Sequence, residues 1–265
     1  MKIILSRKGF DSKYGGVPSP IFPDGTLLSF PIPDGNGSHS YNDLYCSQAE
    51  KTYAELLSDL TGKNYNKCHL DPDLCRDIIK RDEKWKPAFG QIGSSQGHLE
   101  NKEVKESDLF VFFGRFRHIE NKKGKWSYIK GAKEVHLIFG YLQIGEIISI
   151  CNTEIPYWLS YHPHIVNHNE NKKNNTIYVS IEKFSILPKL NGAGFLNYDY
   201  KRILTKEGLS ISKWNLPKNI FEGVNISYHS PNSWKDNYFQ SAAKGQEFVI
   251  DANEKVIEWF KEILY

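Results

Sequence analysis

Two long apolar runs in the middle of the chain, residues 109–116 and 135–148, constrain the fold more than any other feature of this sequence. Both are rich in Phe, Ile, Leu and Val, residues that favour β-strands. The second run is too long for one flat strand, and Gly140 and Gly145 inside it are typical of bends or bulges. Because glycine-broken strands turn the corners of small barrels, we expect a central sheet that curves.

Helices are predicted around this sheet. The apolar spacing that starts at Ser47 predicts a helix that ends at Gly62, and residues 256–264 form an amphipathic helical pattern. The string Asp71-Pro72-Asp73 has the residue types of a helix start, with an acidic N-cap followed by proline. It predicts a further helix that runs to about residue 81.

The chain shows neither an internal repeat nor a long Pro/Gly/Ser linker. We therefore predict one α+β domain over residues 1–265, with a mixed, partly closed β-barrel at its centre and helices around it. Residues 88–98, which include three glycines and two serines, are predicted to form a loop or a bent strand end.

Composition is that of a soluble globular protein, with 40% hydrophobic and 25% charged residues. The net charge of +3 is too small to indicate nucleic-acid binding by itself. The sequence has no apolar run near the ~20 residues of a membrane span, and its start lacks the pattern of a signal peptide. Its four cysteines show no C-x-x-C pairing, so we expect a cytoplasmic protein without a structural zinc or disulfide framework.

The loop at residues 6–16 follows a short apolar strand pattern and combines cations, hydroxyls, an acid and three glycines. Glycines let backbone N–H groups approach an anion, and Arg and Lys supply positive charge. The loop is therefore a candidate cradle for a phosphate, and an ordinary polar turn is the competing interpretation. The candidate ligand-binding residues of this loop are Ser6, Arg7, Lys8, Gly15 and Gly16.

His69 lies two residues before Asp71, and this pair is a candidate for acid/base chemistry. Helix capping would account for Asp71 and Asp73 without a catalytic role for either residue. It would not account for His69. We assign His69, Asp71 and the loop residue Asp11 as candidate catalytic residues.

The string His162-Pro163-His164, with His168 nearby, offers imidazoles but has no carboxylate close in sequence. A metal site needs three or four convergent ligands, so we interpret these histidines as surface residues. No metal ligand and no cofactor is assigned, with a divalent metal kept as an option.

Polar residues elsewhere complete the set of candidate ligand contacts. Arg115 and Arg117 are two residues apart on a predicted strand, so their side chains lie on the same face. They either bind phosphate groups together or belong to an ordinary solvent-exposed face of the sheet. The remaining candidates are Asp24, Gln91, Ser94 and Gln96. The common motifs of P-loop, Rossmann, α/β-hydrolase and HExxH enzymes are absent from the sequence.

Several strings spread along the chain together resemble a family of bacterial and phage proteins, the nucleotide modification associated domain of the third type. The strings are Ser6–Ser12, Gly15-Gly16, Pro18–Ile21, Pro23-Asp24-Gly25, Pro31-Ile32-Pro33, His69–Leu74, Gly90–Gly93, Asp108-Leu109-Phe110, Phe139-Gly140 and Gly245–Val249. The resemblance implies a nucleotide or nucleic-acid partner and a link to DNA modification or anti-phage conflict, and it carries over no catalytic set. A weaker likeness, over about residues 105–185, is to PUA-like domains of the ASCH and EVE types, small barrels that bind nucleic acid around a modified or flipped base.

From these features we expect an enzyme that acts on a nucleotide or nucleobase through glycosidic or phosphoryl chemistry. One alternative is a non-catalytic reader of modified bases, in which Trp126, Tyr141 or Trp158 stacks on the base. The two arginines of the predicted strand would then contact the sugar-phosphate backbone of the nucleic acid. A second alternative is a sensor or sponge that binds a signalling nucleotide without turnover.

Overall fold

A mixed sheet forms the centre of the fold in the computed structural model, which describes residues 1–151, 153–166 and 174–265. The strands are β1 (Lys2–Arg7), β2 (Ser19–Ile21), β3 (Ile32–Pro33), β4 (His39–Ser40), β5 (Tyr45–Cys46), β6 (Lys51–Thr52), β7 (Lys67–His69), β8 (Ala88–Ile92), β9 (Leu109–Lys122), β10 (Lys125–Tyr128), β11 (Val135–Ser149), β12 (Asn175–Ser180), β13 (Ala193–Phe195), β14 (Lys213–Trp214), β15 (Phe239–Gln240) and β16 (Glu247–Asp251). The α-helices are α1 (Tyr53–Thr61), α2 (Gly93–Asn101), α3 (Pro163–Val166), α4 (Lys218–Phe221) and α5 (Glu254–Leu264). Short 3-10 turns lie at Arg76–Ile78, Tyr157–Leu159, Tyr200–Arg202 and Pro231–Ser233.

The strand order of the main sheet is β16-β1-β9-β11-β12-β8, with β2 and β10 added on β9 and β13 on β11. β1 and β2 run parallel to β9, and the other pairs of this sheet are antiparallel. The short strand β7 lies between β3 and β4 in a separate small sheet. The fold is therefore mixed α and β, as predicted.

The long strand β11 bends where its glycines were expected to bend it. Its register against β9 shifts between Ile138 and Gly140, and its register against β12 shifts between Ile144 and Glu146, on either side of Gly145. A Cβ on Gly145 would lie 2.8 Å from the backbone of Ile181, so the close strand crossing requires glycine there.

The two edge strands of the sheet, β8 and β16, are joined by side chains rather than by backbone pairing. Gln91 of β8 donates to Glu247 of β16 at 2.7 Å, and α2 packs against both strands. Within the described residues the sheet is not a closed barrel, because backbone hydrogen bonds do not connect its two edges. The predicted PUA-like barrel therefore has no confirmation in the strand pairing.

Aromatic and aliphatic side chains cover both faces of the sheet. One face packs against α5 through Phe113, Phe248 and Phe260, and the other buries Phe89, Phe110 and Phe112. A third cluster lies beneath α1. This helix ends at the C-cap Gly62 as predicted, but it begins at a capping box between Thr52 and Glu55 rather than at Ser47. The predicted C-terminal helix is also confirmed as α5.

The prediction of a helix that starts at Asp71 is wrong. Asp71 precedes a cis peptide bond to Pro72, Asp73 pairs with Ala88 in an isolated bridge, and only the short turn Arg76–Ile78 is helical. The Asp71 carboxylate accepts the N–H of Gly90, far along the chain, instead of capping its own segment. A capping residue and a long-range acceptor have the same composition, so local sequence does not separate them.

The prediction of a loop or a bent strand end at residues 88–98 is wrong for residues 93–98, which are helical. The segment forms β8 and most of α2, and Gly93, at φ +66°, joins them. β8 is held by pairing with β12, a partner that is distant in sequence. The glycine and serine content of the segment therefore gave a wrong prediction, because pairing with a distant strand decides its structure.

Candidate metal centre

Four side chains from two distant segments meet beside β8. His69 ends β7, Asp71 follows it, and His162 and His164 lie at the start of α3. The Asp71 carboxylate is 5% exposed, His162 and His164 are buried, and the His69 ring is 22% exposed. The expectation that these histidines are surface residues is wrong for His162 and His164, and His168 lies outside the described residues.

The two oxygens of Asp71 have different surroundings. Oδ1 accepts the backbone N–H of Gly90 at 2.9 Å and lies 3.6 Å from Nε2 of His162. Oδ2 lies 3.9 Å from Nε2 of His69 and 3.7 Å from Nε2 of His164. These two distances are too long for hydrogen bonds, so Oδ2 and the two imidazole nitrogens face one another without a proton between them.

The Asn175 side chain fixes the tautomer of His164. The Asn175 amide nitrogen donates to the His164 carbonyl at 2.8 Å, which turns its amide oxygen toward Nδ1 of the ring, also at 2.8 Å. Nδ1 therefore carries the proton, and the lone pair is on Nε2, the nitrogen that faces Asp71.

His69 has the same arrangement. Its Nδ1 lies 3.4 Å from the carboxylate oxygen Oδ2 of Asp34, an acceptor. The proton on Nδ1 leaves the lone pair of Nε2 directed at Asp71. Metal-binding histidines in proteins are oriented in this way, with the second ring nitrogen bound to a carboxylate or carbonyl oxygen.

His162 has the opposite tautomer. Its Nδ1 accepts the backbone N–H of His164 at 3.3 Å, so the proton of the neutral ring is on Nε2. That nitrogen is buried and has no hydrogen-bond partner within normal distance among the described residues. His162 is therefore a proton donor directed at Asp71 Oδ1 rather than a third imidazole ligand.

The charges of the cluster follow from burial and from the histidines. Burial alone raises the pKa of Asp71, but the neighbouring imidazoles, with His162 Nε2 3.6 Å from Oδ1, outweigh it and hold the pKa at about 2. Burial lowers the pKa of His164 to about 4 and also lowers the pKa of His69. The cluster is thus a carboxylate beside neutral imidazoles, the protonation state that binds a metal ion.

One ligand atom from each of His69, Asp71 and His164 lies within 4.8 Å of the other two. The unprotonated atoms that face one another are His69 Nε2, Asp71 Oδ2 and His164 Nε2. Ligand atoms at about 2.0–2.2 Å from a common cation are separated by roughly 3–4 Å, and the two separations from Asp71 Oδ2, 3.9 Å to His69 Nε2 and 3.7 Å to His164 Nε2, lie in that range. Three acceptors without a shared proton repel one another unless a cation neutralises them. The residues present can therefore hold a divalent metal.

Comparison with known proteins identifies the family. A family model described as nucleotide modification associated domain 3 matches residues 2–251. The chain belongs to this family. The matched region extends from β1 to β16 and includes every residue of the metal centre, and it confirms the resemblance that the sequence strings indicated. Neither the curated proteins nor the solved structures contain a match to the chain.

Membership of the nucleotide modification associated domain 3 family links this chain to nucleotide modification. No described helix has both the length and the apolar character needed to cross a membrane.

The loop at residues 6–16 is anchored to the rest of this family member by its polar groups. The Arg7 guanidinium donates to the carbonyl of Ala242 at 2.8 Å and lies over the Phe248 ring. Asp11 accepts the N–H groups of Lys13 and Tyr14, and the Gly15 carbonyl accepts the Tyr65 hydroxyl. Gly15 and Gly16 both have positive φ, as the turn requires.

The structure brings several of the predicted ligand-binding residues together around Glu247. Lys8 Nζ lies 2.9 Å from Glu247 Oε1, the oxygen that also accepts from Gln91. Gln96 accepts the hydroxyl of Tyr178, in the same region of the sheet. Ser6 is the register partner of Glu247 on β1 and is fully buried.

The remaining predicted contacts lie on other elements. Arg115 Nε donates to Glu134 at 2.6 Å, Arg117 donates to the carbonyl of Ile129, and Asp24 accepts the N–H of Thr26 in a tight turn. Ser94 lies exposed in the first turn of α2. Direct contacts to a ligand remain predictions for all of these residues.

Of the catalytic candidates, His69 and Asp71 are brought together, and Asp11 is held in its own turn. Sequence reasoning missed His162 and His164 because it looked for a carboxylate nearby in the chain, whereas Asp71 comes from a much earlier segment. It also missed Asp34 and Asn175, which orient the ligands. The available signal was that two separate His-x-Asp and His-x-His strings supply complementary donors.

Proposed function

We propose that this protein is a divalent-metal-dependent enzyme that acts on a nucleotide or on nucleic acid, with His69, Asp71 and His164 as the metal ligands. The observation that carries the proposal is the convergence of three unprotonated acceptors, each oriented by an outer partner. The family's link to nucleotide modification supports the substrate class.

Two imidazoles and one carboxylate leave coordination positions open for water or substrate. Catalytic zinc sites use sets of this kind, and the same donors at three adjacent positions bind iron(II). The nitrogen content disfavours Mg²⁺ and Ca²⁺, which prefer oxygen ligands. We therefore expect Zn²⁺, Fe²⁺ or Mn²⁺ at this centre.

A divalent ion bound here would lower the pKa of a coordinated water and polarise a substrate oxygen. The Gly90 N–H holds Asp71 through Oδ1, with His162 Nε2 3.6 Å from the same oxygen, and leaves Oδ2 for the metal. His162 carries a proton on its buried Nε2 beside the site, where it is a candidate proton donor to a leaving group. These roles fit hydrolytic cleavage of a phosphoryl or glycosidic bond, in which water supplies a hydroxyl to one fragment and a proton to the other.

A second candidate reaction is oxygenation of a base by iron and dioxygen, in which one oxygen atom enters a C–H bond of the base and the other becomes water with two electrons and two protons from an organic co-substrate. The donor set of two histidines and one carboxylate favours it, because that set is the facial triad of non-haem iron oxygenases. Bound zinc would favour the hydrolytic reaction, because zinc has no redox chemistry, whereas with bound iron the product decides between the two reactions.

The reader and sensor alternatives predict binding without turnover. Two of the proposed stacking walls, Trp126 and Tyr141, are buried in the core, and Arg115 is paired with Glu134. A reader would therefore depend on Trp158, the third proposed wall, or on other residues to contact a base. A PUA-like base pocket and a role in phage conflict remain proposals that rest on the sequence resemblance.

The decisive test is metal binding by the purified full-length protein. We expect one equivalent of Zn²⁺, Mn²⁺ or anaerobic Fe²⁺ by calorimetry, and loss of this binding in His164→Ala and Asp71→Asn. His118→Ala, a half-buried histidine that contacts Tyr198 away from the cluster, is the matched control and should bind like the wild type. Wild-type affinity in both cluster variants, or no metal binding by the wild type, contradicts the proposed centre.

Turnover is tested separately on a panel of nucleotides and oligonucleotides, with product detection by mass spectrometry. We expect activity that chelation abolishes and the preferred metal restores. Metal binding together with ligand binding but without any product would favour the sensor alternative.

A further inference from the structure

A cavity of about 340 Å³ has Leu70, Asp71 and Pro72 in its wall, so it meets the proposed metal centre at Asp71. Much of the wall comes from residues 26–29, the β5–β6 hairpin, residues 75–78 and residues 195–197. This volume is in the range of small-molecule sites in proteins.

The charge of the wall restricts the ligand. Its ionisable lining residues include the acids Asp71 and Asp77, and among the described lining residues there is neither Lys, Arg nor His. Phosphate binding depends on cations and N–H donors, so a phosphate group is disfavoured inside this cavity.

Two large aromatic rings on the wall are exposed. Tyr45 is 56% exposed and Phe195 is 42% exposed, and the Phe195 ring stacks on the buried Phe139 at a centroid distance of 6.1 Å. A planar ring that covers such side chains gains stacking and removes apolar surface from water.

Polar groups near these rings suit the edge of a heterocycle. Gln48 accepts the Ser47 hydroxyl at 3.0 Å through its amide oxygen, and its amide nitrogen is a donor. The Asp77 carboxylate is an acceptor for N–H or O–H groups. Nucleobases and ribose carry both kinds of partner group.

We propose that this cavity binds a neutral nucleobase or nucleoside, with the base against Tyr45 and Phe195 and any phosphate outside the cavity. The inference takes its ligand class from the proposed function but does not depend on a bound metal. It differs from the expectation that the loop at residues 6–16 is a phosphate cradle, because here the base rather than the phosphate is recognised.

Isothermal titration calorimetry on the full-length protein in EDTA tests the proposal. The probes are adenosine, guanosine, cytidine and uridine, their 5′-monophosphates, and ribose 5-phosphate. We expect at least one nucleoside to bind, its monophosphate to bind no more tightly, and ribose 5-phosphate not to displace it.

Tyr45→Ala and Phe195→Ala should each weaken nucleoside binding roughly 5- to 100-fold, the range found when a stacking side chain is truncated. Tyr157→Ala is the matched control, because this tyrosine is 84% exposed and does not line the cavity. Circular dichroism and thermal unfolding of each variant report whether the fold is retained, which we expect because both rings are on the surface.

The proposal is overturned if no nucleoside binds, if ribose 5-phosphate competes, or if folded Tyr45→Ala and Phe195→Ala variants bind like the wild type. EDTA removes the metal from all these measurements. A failure here is therefore distinguishable from a failure of the metal centre, which is tested by metal titration.

Discussion

Gly90 leaves the space that the His164 ring occupies. A Cβ on Gly90 would lie 2.3 Å from the nearest atom of that ring, while the backbone N–H of the same glycine donates to Asp71. One residue of β8 therefore positions two of the three proposed metal ligands. The requirement is steric, because a Cβ built at this position meets the imidazole directly.

Gly90→Ala should displace the His164 ring and weaken metal binding at least tenfold. Overpacking a buried contact also costs about 1–3 kcal/mol of unfolding free energy. Metal titration and urea unfolding measure the two effects. Gly97→Ala is the control, because the nearest atom to a Cβ there is 3.6 Å away and alanine favours the α2 helix. Unchanged metal affinity in Gly90→Ala would contradict the assignment of His164 as a ligand.

Asn175→Ala should lower metal affinity by about 10- to 100-fold, the usual effect of removing an outer partner of a metal-binding histidine. The substitution removes the oxygen that holds the proton on His164 Nδ1. Asn175→Asp keeps an acceptor at that position and should retain more of the affinity than alanine does. Competition with a chromophoric zinc chelator measures both constants, and equal losses in the two variants would argue for a purely structural role of Asn175.

Local sequence predicted the elements whose determinants are local. The apolar run of β11, the bends at Gly140 and Gly145 and the amphipathic pattern of α5 each depend on neighbouring residues. These features were predicted correctly, and they form the frame on which the site lies.

The metal centre was predicted only in part, because its geometry depends on contacts between distant segments. His69 and Asp71 were recognised as a chemical pair, but the partner of Asp71 is an N–H of β8 rather than its own helix. β8 itself is defined by its pairing with β12. Without that pairing, nothing in the sequence places His164 next to Asp71.

Lys8→Met should destabilise the fold by about 3–5 kcal/mol, because it leaves the Glu247 carboxylate buried without its cation. The side chains of the pair are 10% and 1% exposed, and they join the segment directly after β1 to the start of β16. The double variant Lys8→Met/Glu247→Gln removes both charges and should be more stable than Lys8→Met alone. Urea unfolding compares the variants.

Lys122→Met is the matched control for this experiment. Lys122 forms an ion pair with Glu120 on the surface, where such a pair contributes less than about 1 kcal/mol to the free energy of unfolding. A Lys8→Met protein that is as stable as the wild type would instead favour the phosphate-binding role predicted from the sequence.

Acid should destabilise the protein through His136. Burial, together with the positive charges of Arg7 and Arg115, lowers the pKa of His136 to about 3 in the folded state, against 6.5 as its ordinary value. In the unfolded chain this histidine therefore becomes protonated near pH 6.5, whereas in the folded chain it becomes protonated only near pH 3. The pH window of interest lies between these two values. The neutral ring, which accepts the Trp214 indole N–H at 3.0 Å, contributes no pH dependence above this window. Stability is lost as the pH falls through it, by up to about 1.4 kcal/mol per pH unit for one group.

His136→Gln keeps an acceptor for Trp214 and removes the titrating group. The slope of unfolding free energy against pH between 6 and 4 should fall by about 1 kcal/mol per pH unit relative to the wild type. A residual slope is expected because His164 is also buried with a lowered pKa. Denaturant unfolding at a series of pH values measures the difference, with His118→Gln as a more exposed comparison. Parallel pH profiles for His136→Gln and the wild type would mean that His136 is not the residue that limits acid stability.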